Sequence, residues 1–297
     1  MPTIRILRAA PLTTLQDAGR PGWLRFGVSA SGSMDQGAFE RAGKWLGGVG
    51  ATGVEFTSAG LGFRVEGGSL GAAFDGGAFK LSIDGKAQPW PTRAILKVGA
   101  IVDITPGTGG NYGYVRFDRE IDVPIVLGSR ATSSIGGLGG LEGRALAAGD
   151  VIGFGASVAG RPGPHPRPAE QVDGPIRIVW GIHADLFENE RRERFISQPF
   201  RISPQLDRMG VRLRDEAGVF AEARILSLAS DAIVPGDIQI LGDGTPIVLM
   251  RDHQPTGGYP RIATVIAADL DRFAQLPPGA EVRFMPITVT HAQGIRR

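Results

Sequence analysis

Short apolar or alternating segments recur along the first half of the chain, and most of them are bounded by Gly, Pro or Asp. Segments of this kind are typical of β-strands. They predict strands at residues 4–8, 62–65, 70–74, 79–83, 94–98, 101–104, 112–117 and 123–127. Asp84-Gly85 follows one of these segments and predicts a tight hairpin, because this dipeptide adopts the positive φ angles of a type I′ turn.

One helix is predicted in this half. Ser33 can cap its start, and Gly47-Gly48 can end it. Between these two points, apolar residues repeat at helical spacing: Ala38, Phe39, Ala42, Trp45 and Leu46.

The second half has the same character. Its pattern predicts strands at residues 176–180, 224–228, 238–240, 247–250, 262–266, 281–284 and 287–290, and helices at 185–196 and 268–276. Regularly spaced strands with few helices favour barrels or sandwiches. The expected fold class is therefore mainly β with a few short helices.

A proline-rich segment at residues 160–168 separates the halves. Its four prolines in nine residues exclude a helix or a central strand. The length of 297 residues corresponds to about two domains. We therefore predict one domain at 1–160, a linker at 161–170 and a second domain at 171–297.

Composition narrows the possible functions. The chain has no Cys, which excludes disulfides, thiolate metal sites and a thiol nucleophile. Its 32 basic and 30 acidic residues nearly balance, which argues against nucleic acid as a partner. No apolar run approaches a membrane span and the N-terminal segment lacks a signal-peptide core, so we expect a cytoplasmic location without membrane contact. The four histidines lack metal-ligand spacing, so no metal site is expected.

The sequence contains neither a P-loop nor a Gly-x-Ser-x-Gly elbow. Any chemistry must then come from Asp, Glu, Arg, Gln, Thr, Tyr and backbone amides. Four polar stretches carry such residues.

The first stretch, residues 13–35, contains Gln16, Asp17 and Arg20 and leads into the predicted helix. Its glycines allow close approach to a ligand, and amides at the helix start can bind an anion. The alternative is a structural loop in which Asp17 pairs with Arg20 and Ser33 or Asp35 caps the helix.

The second stretch, residues 127–144, contains Arg130 and many glycines. Successive glycine amides can form a nest for phosphate or carboxylate, and arginine adds bidentate contacts. A mobile loop with a solvated Arg–Glu pair is the alternative. The third stretch, residues 203–213, offers Arg208 or Arg212 for a carboxylate or bicarbonate, or else is a turn with surface charges.

The fourth stretch, residues 252–260, follows a predicted strand. Its amide side chain at Gln254 can read a substrate amide, and its hydroxyl and glycine amides can bind an oxyanion. A hairpin-like turn with Tyr259 at the core edge is the alternative. His253 alone is more often structural than catalytic.

In this order, the four stretches resemble the carboxyltransferase subdomain A/B family, long labelled allophanate hydrolase subunit 2. That family includes the C-type subunit of 5-oxoprolinase, KipA-type proteins and part of urea carboxylase. The resemblance covers nearly the whole chain, and its matching stretches are TTLQDAGRPG (13–22), GVSASGSMD (27–35), VEFT (54–57), LGSRAT (127–132), GGLEGRAL (139–146), DRMGVRL (207–213), VPGDIQ (234–239) and TGGYPRIATVI (256–266).

The resemblance implies two cyclophilin-like β-barrel domains and a composite site shared with a subunit-B-like (KipI-type) partner. It implies an ATP-dependent enzyme acting on an amide or lactam, first of all a 5-oxoprolinase in which this chain is the C-type subunit, a third lactam-hydrolysing subunit takes part and ATP binds with the partner subunits. For such a reaction we expect catalytic roles for Asp252, Thr256 and Asp17. Substrate-binding roles are expected for Gln16, Arg20, Arg130, Arg208, Gln254, Gly257, Gly258 and Tyr259.

The resemblance also allows two other functions. One is carboxyl transfer from carboxybiotin to urea or a related amide, with a biotin carboxylase as partner. None of the four lysines follows Met, so biotin would have to be supplied in trans. The other is a non-catalytic, KipA-like regulator that binds a kinase inhibitor.

Overall fold

The computed structural model describes residues 1–47, 50–158, 160–161, 163–164, 166–168, 173–221 and 228–295. The chain divides into two compact units, one formed by Met1–Pro21 with Ala30–Glu170 and the other by Gly22–Ser29 with Gln171–Arg297. The sequence did not predict that Gly22–Ser29, which holds a short 3-10 turn at Leu24–Phe26, groups with the second unit. The described residues of the expected linker form no helix or strand.

The first unit contains ten strands and one helix among its described residues: β1 (Thr3–Ala9), β2 (Thr14–Gln16), α1 (Gln36–Leu46), β3 (Gly53–Thr57), β4 (Leu61–Glu66), β5 (Leu70–Ile83), β6 (Lys86–Gln88), β7 (Thr92–Leu96), β8 (Ile101–Phe117), β9 (Arg119–Ile121) and β10 (Val151–Ser157).

Strand β8 is the centre of this ten-stranded sheet. Its first part pairs with β4 and its last part with β3, while β5 runs antiparallel along its other edge. From β4 the order continues through β1 and β10 to β9, which directly follows β8 along the chain. This path starts and ends on residues 101–121, so the sheet curls back on itself as in a barrel.

Several predicted elements of the first half are confirmed, and three predictions are corrected. The segments 70–74 and 79–83 are one strand, β5, and 101–104 and 112–117 are one strand, β8, because β-bulges carry the pairing across the glycines between them. Residues 123–127 are not a strand, since only an isolated bridge joins Val126 to Ser129. The Asp84-Gly85 hairpin is present, with φ of 51° and 73°.

Helix α1 packs its apolar face on β5 and β8. Asp35, rather than Ser33, caps it by accepting a hydrogen bond from the Ala38 amide at 2.8 Å. Below the helix, Arg116 is buried, donates to the Phe39 carbonyl at 2.9 Å and stacks against the Phe39 ring. Burial lowers the pKa of Arg116 to about 10, although Glu120 opposes the shift.

The core of the first unit lies inside the curled sheet. Aromatic side chains interlock there edge to face, with ring centroids 4.7 Å apart for Phe117 and Phe154 and 5.0 Å apart for Phe56 and Phe79. The alternation of apolar residues along the strands therefore marks the inward face.

The second unit is built from ten further strands and three helices in its described part: β11 (Ile176–Trp180), α2 (Asn189–Ser197), β12 (Phe200–Leu206), β13 (Gly210–Arg214), β14 (Asp231–Ala232), β15 (Asp237–Ile240), β16 (Pro246–Leu249), β17 (Thr256–Gly257), β18 (Arg261–Val265), α3 (Ala267–Ala274), β19 (Glu281–Val282), β20 (Phe284–Pro286) and α4 (Val289–Gly294).

Eight of these strands form one sheet in the order β19-β12-β13-β16-β15-β18-β11-β20. Its two edge strands, β19 and β20, are separated only by Arg283. Both edges therefore belong to one segment, 281–286, and this sheet also closes on itself. The remaining strands, β14 and β17, form a separate two-stranded ribbon. The predicted mainly β class with two barrel-like sheets and a few short helices is thus confirmed.

Two predicted elements of the second half differ in the structure. The helix expected at 185–196 is a 3-10 turn, Ala184–Leu186, followed by α2. Residues 287–290 are not a strand; Thr288 caps α4 by accepting from the His291 amide at 3.1 Å. The strand expected at 224–228 lies almost wholly outside the described residues. Inside the sheet, rings pack around Phe195, which stacks on Phe284 with centroids 5.0 Å apart.

Candidate functional site

In the first unit, the Asp17 carboxylate joins two of the predicted stretches. It accepts hydrogen bonds from the Gly19 amide at 2.7 Å, the Ser129 hydroxyl at 2.6 Å and the Arg130 amide at 2.6 Å. All three donors lie in loops, so Asp17 holds residues 17–19 against residues 129–130. The carboxylate predicted to be catalytic is therefore also a clamp between loops.

Gln16 performs a similar connecting role. Its amide donates to the Thr14 hydroxyl at 2.9 Å and the Thr132 carbonyl at 3.1 Å, and it accepts from the Gly32 amide at 3.1 Å. The side chain is fully buried. The structure thus brings together residues 14–20, 31–33 and 129–132, which the sequence placed in two separate stretches.

The two predicted arginines of this unit contact the protein itself. Arg20 is buried and donates to the Ala131 carbonyl. Arg130 donates through Nε to the Val123 carbonyl at 2.9 Å and lies 3.5 Å from a Glu120 carboxylate oxygen. Binding a substrate carboxylate at Arg130 would require this pairing to be shared or exchanged.

A row of polar side chains beneath the start of α1 was not predicted. Glu55 lies opposite Tyr114 in the sheet, and the two side chains are hydrogen-bonded. Glu55 accepts from the Met34 amide at 2.7 Å, while the Tyr114 oxygen accepts from the Asp35 amide at 2.7 Å. Burial, with the negative charges of Glu55 and Asp35, raises the pKa of Tyr114 well above its usual value.

Asp75 extends this row, because it is the sheet neighbour of Tyr114 on β5. Burial raises the pKa of Asp75, and the Arg41 guanidinium at 2.9 Å opposes the shift. The VEFT stretch was the sequence signal for Glu55.

In the second unit, Arg208 and Asp252 pair with each other. Arg208 Nε donates to Asp252 Oδ2 at 2.8 Å and Nη2 donates to Oδ1 at 3.2 Å, and each side chain is only 4% exposed. The Asp252 amide also donates to the Arg208 carbonyl at 2.7 Å. The residues predicted to bind a carboxylate and to move a proton therefore form one buried ion pair.

The loop after Asp252 carries the remaining predicted residues. Gln254, Thr256 and Tyr259 are exposed, while Gly257 and Gly258 are half-buried. The loop pairs with β14 through Thr256 and Gly257. A small two-stranded ribbon thus presents a hydroxyl, an amide side chain and a phenol at the surface of this unit.

A polar layer lies next to the ribbon, and no role was predicted for its residues Arg261, Asp237 and Thr264. Arg261 donates to the Ala232 carbonyl of the ribbon at 2.7 Å and contacts Asp231 at 2.5 Å and Asp237 at 3.3 Å. Thr264 donates to Asp237 at 2.7 Å. These charges hold the ribbon to β15 and β18.

His253 belongs to the same layer. Its ring Nδ1 donates to the Gln254 carbonyl at 2.6 Å, which leaves Nε2 as the acceptor of the neutral ring. Burial lowers the pKa of His253, opposed by that hydrogen bond and by the charges of Asp237 and Asp252. The ring is therefore held neutral beside two carboxylates. The signals for this layer were the VPGDIQ and PRIATVI stretches.

A family model described as "Carboxyltransferase domain, subdomain A and B" matches residues 26–286. The chain belongs to this family. Two relatives are similar over almost their full length. The C-type subunit of 5-oxoprolinase from Escherichia coli is 32% identical, across 99% of this chain and 94% of that protein. The Haemophilus influenzae protein of the same name is 31% identical with the same coverage.

In larger proteins of this kind, one region is similar to this chain. Urea amidolyase of Saccharomyces cerevisiae is 29% identical over 96% of this chain, which corresponds to 16% of that protein. The solved Kluyveromyces lactis urea amidolyase superposes with a TM-score of 0.87 at 27% identity, over 98% of this chain and 19% of that chain. The solved protein TTHA0988 superposes with a TM-score of 0.82 at 27% identity, over 96% of this chain and about half, 55%, of its own.

The described residues contain neither a metal-binding cluster nor a membrane-spanning helix. No group of three or more His, Asp or Glu side chains in the described ranges is arranged to hold a metal ion. Within the same ranges, no helix has the length and apolar character that crossing a bilayer demands.

Proposed function

We propose that this chain is the C-type subunit of a 5-oxoprolinase, which hydrolyses 5-oxo-L-proline to glutamate at the expense of ATP together with a subunit-B-like partner and a third, lactam-hydrolysing subunit. The reciprocal coverage carries this proposal: 99% of this chain aligns with 94% of a separate subunit. In urea amidolyase the matching region is 16% of a much larger protein.

The chemistry sets what this chain must supply. A lactam is unreactive, and ATP, as co-substrate with the partner subunits, supplies the phosphoryl group that activates its oxygen. The residues of this chain then bind and orient the lactam and support developing negative charge. Thr256 suits that role because the ribbon presents its hydroxyl at the surface, where a partner can complete the site, and the half-buried Gly257 and Gly258 follow it on the same loop.

The Arg208–Asp252 pair suits positioning. Its two side-chain hydrogen bonds and one backbone hydrogen bond fix the point at which the ribbon loop begins. Asp17 fixes the glycine loop of the first unit in the same manner. In this proposal the ion pair keeps the loop in the geometry that binds substrate, and a proton-transfer role for Asp252 requires the pair to open.

Carboxyl transfer to urea or a related amide is the second candidate. It is favoured by the TM-score of 0.87 to a solved urea amidolyase. In that reaction, biotin would carry the carboxyl group that is transferred to the amide. None of the four lysines of this chain follows a Met, so the biotin would reside on a partner.

The test is reconstitution. The chain is mixed with its B-type and lactam-hydrolysing partners, and ATP hydrolysis is measured with 5-oxoproline, with urea and with neither. We expect stimulation by 5-oxoproline that disappears when this chain is omitted. Equal turnover without the chain would refute the proposal, and stimulation by urea with a biotin carboxylase would favour the second candidate.

A matched pair of variants locates the activity. Thr256→Val removes the exposed hydroxyl of the ribbon, and Thr108→Val makes the same change at an exposed position of β8 in the first unit. We expect the first to lower turnover by about tenfold, the effect of one lost hydrogen bond, and the second to leave it unchanged. Equal activities would remove Thr256 from the site.

A further inference from the structure

Gln239 lies in the middle of β15, where it faces away from the core. Its neighbours Ile238 and Ile240 are core residues, and successive side chains of a strand point to opposite faces. Gln239 therefore shares the face of Asp237, in the polar layer next to the ribbon. It is nevertheless only 1% exposed.

The two polar side chains of this face differ in their partners. Asp237 accepts hydrogen bonds from the Val234 amide at 3.0 Å, from Thr264 at 2.7 Å and from Arg261 at 3.3 Å. The Gln239 Nε2 atom is buried and has no hydrogen-bond partner among the described residues. A buried donor without an acceptor is costly, and native structures contain few of them.

The ribbon approaches this amide at a glycine. A Cβ atom added at Gly257 would overlap Gln239 Nε2. The φ angle of Gly257 lies outside the left-handed region, so the close approach, and not the backbone conformation, explains the glycine. Gln254, Thr256 and Tyr259, all predicted substrate-site residues, are exposed on the same loop.

We propose that Gln239 is a further substrate-binding residue. Its Nε2 donates a hydrogen bond to the carbonyl oxygen of a substrate amide that binds beside Gly257. This inference rests on the proposed function. A primary amide can donate and accept on one edge. It therefore pairs through two hydrogen bonds with an amide whose N–H and C=O lie on the same side. Lactams and primary amides have that arrangement, whereas open-chain secondary amides are trans. Gln239 thus selects cyclic or primary amides.

The first experiment uses the reconstituted complex. Gln239→Met keeps the length of the side chain and removes its hydrogen bonds, and Gln198→Met makes the same change after α2, away from β15. We expect Gln239→Met to raise KM for 5-oxoproline at least about tenfold, the effect of one lost hydrogen bond, and Gln198→Met to leave it unchanged. An active wild type with an unchanged KM in Gln239→Met would overturn the inference.

The second experiment does not depend on turnover. Thermal unfolding of the chain without ligand is compared for Gln239→Met and for Thr264→Val, which removes a hydrogen bond to Asp237. A Gln239 amide without a protein partner predicts no loss of melting temperature, whereas Thr264→Val lowers it. A loss in Gln239→Met as large as in Thr264→Val would assign Gln239 a structural role and refute the proposal.

A binding series separates this inference from the proposed function. Calorimetric titration of the complex uses 5-oxoproline, 2-pyrrolidinone, urea and N-methylacetamide. No turnover of 5-oxoproline, together with Gln239-dependent binding of 2-pyrrolidinone or urea, refutes the proposed function and supports the inference. Binding of N-methylacetamide as strong as that of the lactams, or no binding of any of the four, overturns the inference.

Discussion

The buried Arg208–Asp252 pair can be tested by removing one charge at a time. Asp252→Asn keeps the shape of the side chain but removes the carboxylate charge that faces the Arg208 guanidinium, which is 4% exposed. Removing one partner of a buried ion pair costs about 3–5 kcal/mol. For a domain of this size, that loss lowers the melting temperature by about 6–20 °C. Differential scanning calorimetry measures the change directly.

The double variant gives the decisive comparison. Arg208→Met with Asp252→Leu replaces both charges by apolar groups of similar size, and we expect stability close to that of the wild type. Glu281→Gln is the matched control, because its partner Arg283 is half exposed and such surface pairs contribute less than about 1 kcal/mol. An Asp252→Asn variant as stable as Glu281→Gln would refute the reasoning, as would a double variant that loses the sum of the two single effects.

The same variants show what the pair does in the reaction. Loss of activity in Asp252→Asn alone would reflect both a missing carboxylate and a displaced loop. The double variant restores folding but keeps neither charge. If it is stable, assembles with its partners and has no activity, the two charged groups are needed for activity and not only for folding; if it is active, neither charge is needed in the reaction.

Three other predictions follow from single contacts. Gly139→Ala should destabilise the chain more than Gly137→Ala, because both have positive φ but only the Cβ at 139 would overlap the Ala131 carbonyl; equal denaturation midpoints would contradict this. Tyr114→Phe should cost about 1–3 kcal/mol in thermal unfolding, since it removes the buried hydroxyl that accepts from the Asp35 amide and is hydrogen-bonded to Glu55; an unchanged melting curve would be evidence against that contact. Burial lowers the pKa of His253 in the folded chain below its unfolded value near 6.5. The neutral ring therefore stabilises the fold above pH 6.5, and this stability is lost as the pH falls from 6.5 towards the lower folded pKa. Between pH 7 and pH 5 the denaturation midpoint should fall more steeply in the wild type than in His253→Asn, and parallel slopes in the two proteins would disprove this prediction.

The local pattern determined much of the fold. Alternation of apolar residues predicted β1, β4, β5, β7 and β8 of the first unit and β11, β15, β16 and β18 of the second, but not β2, β3, β6, β9, β10, β12 or β13. The Asp84-Gly85 turn and the helix after Ser33 formed near the expected positions. These features depend on neighbours a few residues apart, which the sequence displays directly. The ordered motifs also identified the family, and the family model confirms it.

Contacts between distant residues were decided only by the tertiary structure. Asp17 meets Arg130 across 113 positions and Arg208 meets Asp252 across 44, and no local periodicity encodes either pairing. The burial of Gln239 could not be predicted from the sequence either, because an alternating strand predicts that its polar residues face water. Only the strand order and the ribbon beside β15 reveal that this polar face is buried, and burial is what turns an ordinary glutamine into a candidate for binding.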